Sequence, residues 1–157
     1  METDKKKIRA KNNAWSLLRV RPRSEYELRS RLKLKGYDDS LVSEVIEDLR
    51  RLGNVDDEKF ARFWVSSRMH LNPVGDVVLR HELKDKGVAD SIIETALEEK
   101  AKNYNEYEVA FNMATERFER LKKLDRPKAA KRLYDFLLRR GFKYDTVCKI
   151  IEELVKG

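Results

Sequence analysis

Apolar residues recur along this chain at helical spacing, and the same register appears three times. Pairs of leucines lie four residues apart just before a glycine: Leu28 and Leu32, Leu79 and Leu83, and Leu133 and Leu137. Residues four apart share one face of an α-helix. A second apolar pair follows six and ten residues after each glycine: Val42 and Ile46, Ile93 and Leu97, and Val147 and Ile151. No stretch alternates convincingly at every second position, so the pattern predicts an all-α protein.

Prolines and glycines mark the same three modules. Each proline precedes a glycine by 14 residues, in the pairs Pro22 and Gly36, Pro73 and Gly87, and Pro127 and Gly141. Glycine enters the left-handed region at low cost and is typical of the position just after a helix. A proline is expected to stop the preceding helix and start a turn. Each module therefore contains a helix before the proline, one between proline and glycine, and one after the glycine.

We predict from this register an elongated array of three tandem three-helix repeats, with about nine helices. The predicted segments are a basic N-terminal extension at 1–12 and repeats at 13–53, 54–103 and 104–157. Repeats of this size are marginal alone, so neighbours must share core. Ser24 and Glu27 have the spacing of a capping box. The third helices are expected to begin at or near capping aspartates, namely Asp39, Asp90 and Asp145.

Charge indicates the kind of partner. Charged residues make up 40% of the 157 residues, against about 25% in an average protein, and the net charge is +7. A basic balance favours an anionic partner such as nucleic acid. Residues 1–53 carry 14 basic and 9 acidic side chains, residues 54–106 carry 8 and 11, and residues 107–157 carry 13 and 8. The acidic middle suggests either a second, protein partner or ionic contacts within the fold.

Several functional classes are disfavoured. The single cysteine, Cys148, permits no intramolecular disulfide and fits a reducing compartment. No apolar run approaches the length of a membrane span, and the N-terminus lacks the apolar stretch of a secretory signal. We expect a cytoplasmic protein without membrane contact. His70 and His81 lack a partner histidine four residues away or a nearby cysteine, so ordinary surface roles are favoured over metal binding.

No nucleophile elbow, phosphate-cradling glycine loop or triad pattern is present in the sequence. We therefore expect no catalytic centre, no metal and no cofactor. Trp15 and Trp64 could stack on bases, but their apolar neighbours favour core packing.

The candidate contact residues for an anionic partner are basic and surround Pro22 and Pro127. They are Arg19, Arg21, Arg23, Arg31, Lys35, Lys122, Lys123, Arg126, Lys128, Lys131, Arg139 and Arg140. For any one of them a solvated helix face is the simpler interpretation. Each cluster as a whole favours contact with phosphates or with an acidic protein surface. In contrast, the loop around Pro73 lacks such charge.

These modules resemble the RecX family. The stretch from Ala14 to Leu52, AWSLLRVRPRSEYELRSRLKLKGYDDSLVSEVIEDLRRL, is similar to the first RecX repeat. The stretch from Val55 to Val88, VDDEKFARFWVSSRMHLNPVGDVVLRHELKDKGV, is similar to the second. The stretch KRLYDFLLRRGFKYDTVCKIIEEL resembles the last. The order and spacing of these stretches identify the family better than any one of them, because each is only a capped amphipathic helix.

The resemblance implies three repeats of three helices and a non-enzymatic regulator. It implies binding to RecA and to the RecA–DNA filament, with inhibition of the recombinase, ATPase and coprotease activities. It also implies weaker DNA binding without strong sequence preference, and no cofactor. The step between the last two glycines is 54 residues, against 51 between the first two, so the third repeat departs slightly from the spacing of the other two.

Other functional classes stay open. The main alternative is a stand-alone, nonspecific DNA-binding helical protein. A helix-turn-helix regulator is a further one, but it would present a single recognition helix, usually doubled by dimer symmetry, and three similar units in one chain argue against it. A scaffold of helical hairpins would show no DNA affinity. An enzyme is the least favoured class. Because no long heptad pattern occurs, we expect a monomer rather than a coiled-coil dimer.

Overall fold

A computed structural model describes residues 1–156 of the chain. Within this range the protein is all-α, with nine α-helices and no strand. The helices are α1 (Glu2–Val20), α2 (Glu25–Leu34), α3 (Asp39–Arg51), α4 (Asp57–Leu71), α5 (Asp76–Asp85), α6 (Asp90–Asn103), α7 (Glu106–Arg120), α8 (Arg126–Arg139) and α9 (Tyr144–Ile151). A π-helical turn, Glu152–Lys156, continues α9. They form three tandem three-helix repeats, which confirms the predicted fold class.

The predicted glycines end the middle helices as expected. Gly36, Gly87 and Gly141 have φ of 97°, 75° and 89°. At the first of them, the amide of Tyr37 donates to the carbonyl of Leu32 (3.3 Å) and closes the end of α2. A fourth left-handed glycine, Gly53 with φ 79°, follows α3 in the same way.

The helix starts are partly as predicted. The Ser24–Glu27 capping box is present at α2. At α3 the cap is Asp38 rather than Asp39, because Asp38 has the extended backbone that brings its carboxylate to the Leu41 amide (2.8 Å). α9 begins at Tyr144, next to Asp145 as predicted, but its N-cap is Lys143 without a side-chain bond, so the prediction that Asp145 caps it is wrong.

The prolines play two different roles. Pro22 and Pro73 lie in the loops before α2 and α5, as predicted. Pro127 instead lies in the first turn of α8, where its missing amide would have no helical partner and its fixed φ suits the helix. It therefore neither ends α7, which stops at Arg120, nor begins a turn.

The chain divides into two compact units, and each has its own core. The first unit is Met1–Trp64 with Leu83–Ile93. Its core joins α1, α2 and α3, and consists of Ala10, Ala14, Leu28, Leu32, Leu41, Val42, Val45, Ile46, Leu49 and Val55. The predicted extension at 1–12 is helical from Glu2 onward and continuous with α1. Lys7 and Lys11 of this segment pair with Asp48 of α3, at 3.2 and 2.8 Å.

The second unit is Val65–Glu82 with Glu94 to the end of the described chain. One of its apolar clusters joins α7, α8, α9 and the π-helical turn. The fully buried members are Ala110, Ala114, Leu133, Leu137, Val147 and Ile150. None of the helices in residues 1–156 has the length and apolar character that a bilayer span requires.

Candidate anion-binding surfaces

Arg21, in the loop before α2, is held by intramolecular contacts. Its guanidinium binds Glu27 (Nη2 to Oε2, 2.5 Å), donates to the Pro22 carbonyl (2.8 Å) and lies over the Trp64 ring at 5.8 Å. Burial opposes ionisation of Glu27, but bonds from Arg21 and the Ser24 amide outweigh it and lower the pKa of Glu27. Arg21 therefore has a structural role.

Arg23 is partly engaged. Its Nε donates to the Leu17 carbonyl at the end of α1 (3.3 Å). Burial lowers the pKa of Arg23, and the charge of Arg21 lowers it further. Arg23 therefore uses only part of its hydrogen-bonding capacity within the fold.

Three cations of the first cluster are free. Arg19, Arg31 and Lys35 are exposed and have no ion-pair partner in residues 1–156. Arg31 and Lys35 lie four residues apart, so they share one face at the end of α2.

The second cluster divides in the same way. Arg140 is docked, since it binds the side-chain oxygen of Asn72 and the carbonyl of Pro73 (2.7 Å). Burial lowers the pKa of Arg140, with a further contribution from the charge of Arg68. Arg126 donates to the Val155 carbonyl (3.2 Å). Lys122, which follows α7, pairs with Glu119 (2.9 Å), and Lys131 of α8 pairs with Asp135 (3.4 Å); both pairs are exposed.

Four cations around α8 are exposed and form no ion pair in the described chain: Lys123, Lys128, Arg132 and Arg139. Of these, Lys128, Arg132 and Arg139 lie at offsets of 0, 4 and 11 and share one helix face. At 1.5 Å per residue they extend over about 16 Å. We call these three residues the α8 stripe. Arg132 belongs to the basic cluster around Pro127 in the sequence, although it was not named among the candidate contact residues.

A groove in the first unit gathers further cations. The cavity is about 320 Å³ in volume and is lined by apolar side chains that include Trp15, Leu18, Pro22 and Phe60. Arg19, Arg23 and Lys59 also line it. We call this cavity the Trp15 groove. Sequence reasoning missed Lys59, because nothing in its local pattern connects it to α1.

The acidic residues in the middle of the chain make contacts within the fold. Asp76 binds the buried Lys100 (2.6 Å), Glu82 binds Arg68 (3.0 Å) and Glu94 binds Arg80 (2.7 Å). Of the two interpretations of the acidic middle, the structure supports intramolecular pairing.

Trp64 is partly buried and has cationic neighbours from its own chain. Arg21 and Lys86 lie 5.8 and 5.2 Å from its ring centre.

Within residues 1–156 no group of three His, Cys, Asp or Glu side chains could hold a metal ion. His70 is exposed and its Nδ1 lies 2.8 Å from the Ser66 carbonyl.

Comparison with known proteins gives matches along the whole chain. Family models described as the first, second and third three-helix domains of RecX match residues 10–49, 56–97 and 104–151. The chain is 36% identical to the regulatory protein RecX of Prosthecochloris aestuarii over 147 residues, covering 94% of each protein. It is 32% identical to that of Chlorobium phaeobacteroides over 156 residues, covering 99% of each.

Solved structures show the same fold. The crystal structure of RecX from Lactobacillus salivarius superposes with a TM-score of 0.80 at 26% identity, covering 94% of this chain and 96% of that one.

Proposed function

Because this chain belongs to the RecX family, whose members carry the name regulatory protein, we propose that it binds RecA and the RecA–DNA filament. In this proposal it lowers the recombinase, ATPase and coprotease activities of RecA. It acts by binding, as a monomer, without a catalytic centre or cofactor. Such a partner implies a cytoplasmic location.

The observation that carries the proposal is the α8 stripe. Its three cations have no structural partner in the described chain, whereas Arg21 and Arg140 are engaged within the fold. Three unpaired charges on one face offer contacts to phosphates or acidic side chains at no cost to the fold. Each cation that neutralises a phosphate releases a counterion and makes binding salt-dependent. Arg31 and Lys35 supply a second exposed patch of the same kind.

The test is a RecA assay on single-stranded DNA. We expect an equimolar amount of the protein to reduce both ATP hydrolysis and strand exchange. The double variant Lys128→Glu/Arg132→Glu should need at least tenfold more protein for the same inhibition. Lys5→Glu/Lys102→Glu is the matched control, because both lysines are exposed and form no ion pair in residues 1–156. If the wild-type protein leaves both activities unchanged, the proposal is wrong.

The net charge of +7 favours one alternative, a stand-alone nonspecific DNA-binding protein. Binding of duplex and single-stranded DNA that weakens steeply with salt, together with unchanged RecA activities, would support it.

A further inference from the structure

We propose that the Trp15 groove binds one nucleotide of single-stranded DNA, with the base in the groove and the flanking phosphates on its cationic rim. This inference rests on the proposed function in one respect only, namely that DNA is a partner. It assigns to the first unit a binding site separate from the α8 stripe.

The rim of the groove carries excess positive charge. Arg19 and Lys59 are exposed without ion-pair partners in the described chain, and Arg23 uses only its Nε, on the Leu17 carbonyl. The acidic side chain that lines the groove, Asp56, accepts from the amides of Glu58 (3.0 Å) and Lys59 (3.2 Å) at the start of α4. Three cations against one engaged carboxylate favour an anionic occupant.

The walls of the groove favour an aromatic ring. Trp15 packs against the core of the first unit, as predicted, but stays partly exposed. Leu18, Pro22 and the almost fully buried Phe60 complete the apolar lining beside it. Aromatic side chains stack on any of the four bases, which suits binding without sequence preference. Trp64 is less suited to this role, because cations of its own chain lie against its ring.

The volume favours one base over a larger ligand. At about 320 Å³ the cavity lies at the lower end of the range for small-molecule sites. Phosphates on either side of a bound base would remain outside the groove, where Arg19 and Lys59 are exposed.

The experiment follows tryptophan fluorescence during titration with a twelve-residue oligothymidylate at about 50 mM salt. We expect quenching in the wild-type protein and loss of most of that quenching in Trp15→Phe, in which Trp64 remains as an internal reference. Arg19→Glu/Lys59→Glu should weaken binding at least tenfold, whereas the matched control Lys5→Glu/Lys102→Glu should weaken it less than threefold. Circular dichroism establishes that each variant is folded.

The outcomes separate this inference from the proposed function. If the oligonucleotide binds but Trp15→Phe retains the full quenching, or if both double variants weaken binding equally, the groove is not the site. If a glutamate-rich peptide produces the quenching and the oligonucleotide does not, the occupant is protein and the inference is overturned. Inhibition of RecA without oligonucleotide binding would overturn the inference alone. Oligonucleotide binding in the groove without any effect on RecA would support it and overturn the proposed function.

Discussion

The two units contain similar ionic junctions in different surroundings. In the first unit the amide of Glu25, the first residue of α2, donates to Asp57 (2.9 Å), and Arg50 of α3 pairs with Glu25. In the second unit the backbone amide of Asp76, the first residue of α5, acts on Glu106 and tends to lower its pKa, and Lys100 of α6 pairs with Asp76 (2.6 Å). Asp57 and Glu106 each begin the first helix of the following repeat.

The cation is what differs between the junctions. The Arg50 side chain is 48% exposed and also binds Glu47 (2.5 Å), whereas the Lys100 side chain is 4% exposed. Water screens an exposed pair and readily replaces a lost partner, but it cannot do so at a buried one. The two junctions are therefore arranged similarly, but we expect the ion pair of Lys100 to contribute more to stability than that of Arg50.

The largest effect is expected from removing the buried cation. Lys100→Met keeps the length of the side chain but leaves the Asp76 carboxylate without its partner, so we expect a loss of about 3 kcal/mol in the free energy of unfolding. Arg50→Met is the matched change in the first unit and should cost less than about 1 kcal/mol. Urea denaturation at pH 7 measures both. Equal losses would show that burial does not distinguish the junctions.

A second difference concerns the contact between the start of one repeat's second helix and the end of the next repeat's second helix, that is, α2 with α5 and α5 with α8. In the first unit the Ser24 hydroxyl donates to the Lys86 carbonyl (2.6 Å), and in the second the Gly75 amide donates to the Arg140 carbonyl (2.7 Å). Ser24 and Gly75 are equivalent, since each lies two residues after its proline. A Cβ at Gly75 would overlap the backbone carbonyl of Gly141 and lie 2.5 Å from the Phe142 amide nitrogen.

Substitution at these two positions sharpens the comparison. Gly75→Ala should cost about 2 kcal/mol, because the clashing atoms belong to the backbone and cannot move independently. Ser24→Ala should cost about 1 kcal/mol, through loss of the helix cap and of one hydrogen bond. Thermal unfolding ranks the two variants. The opposite order would mean that the close approach at Gly75 relaxes easily.

Local periodicity was sufficient to predict the helices and much of the core. Leu28, Leu32, Leu133 and Leu137 are fully buried, because spacing along one helix determines which face is apolar. The capping aspartate of α3 was misplaced by one residue, since adjacent aspartates at 38 and 39 give the same local signal.

The roles of the charged residues could not be predicted in this way. Arg140 contacts Pro73 and Asn72, which precede it in the sequence by 67 and 68 residues. The partner of the buried Lys100 is Asp76, which precedes it by 24 residues. Composition identified where basic residues concentrate, but only the folded chain separates the docked arginines from the free α8 stripe. The Trp15 groove was missed for the same reason, since Lys59 reaches it only through the packing of α4.

The smallest expected effect is on the pH dependence of stability, and it comes from Glu106 at the second junction. Burial raises the pKa of Glu106, with a further contribution from the charge of Asp76, and its Oε1 is buried without a hydrogen-bond partner in the described chain. A raised pKa in the folded state means that stability is greatest below the ordinary pKa and falls as pH rises through the folded value. Glu106→Gln removes this penalty, so the variant should gain stability relative to the wild type between pH 4 and pH 7. The gain should stay below about 1 kcal/mol, because the Glu106 side chain is still 20% exposed and its charge is partly screened by water.

Asp48 of the first unit provides a control of opposite sign. Hydrogen bonds from Lys11 and Lys7 lower its pKa to about 2, so its contribution is present above its ordinary pKa and is lost as pH falls toward 2. Asp48→Asn should therefore be less stable than the wild type at pH 7, and the difference should vanish near pH 2. Urea denaturation across this range gives both curves. If the Glu106→Gln difference runs in the same direction as the Asp48→Asn difference, Glu106 is a stabilising ion-pair partner of Lys100 or Lys143, and the second junction is fully ionic rather than strained by burial.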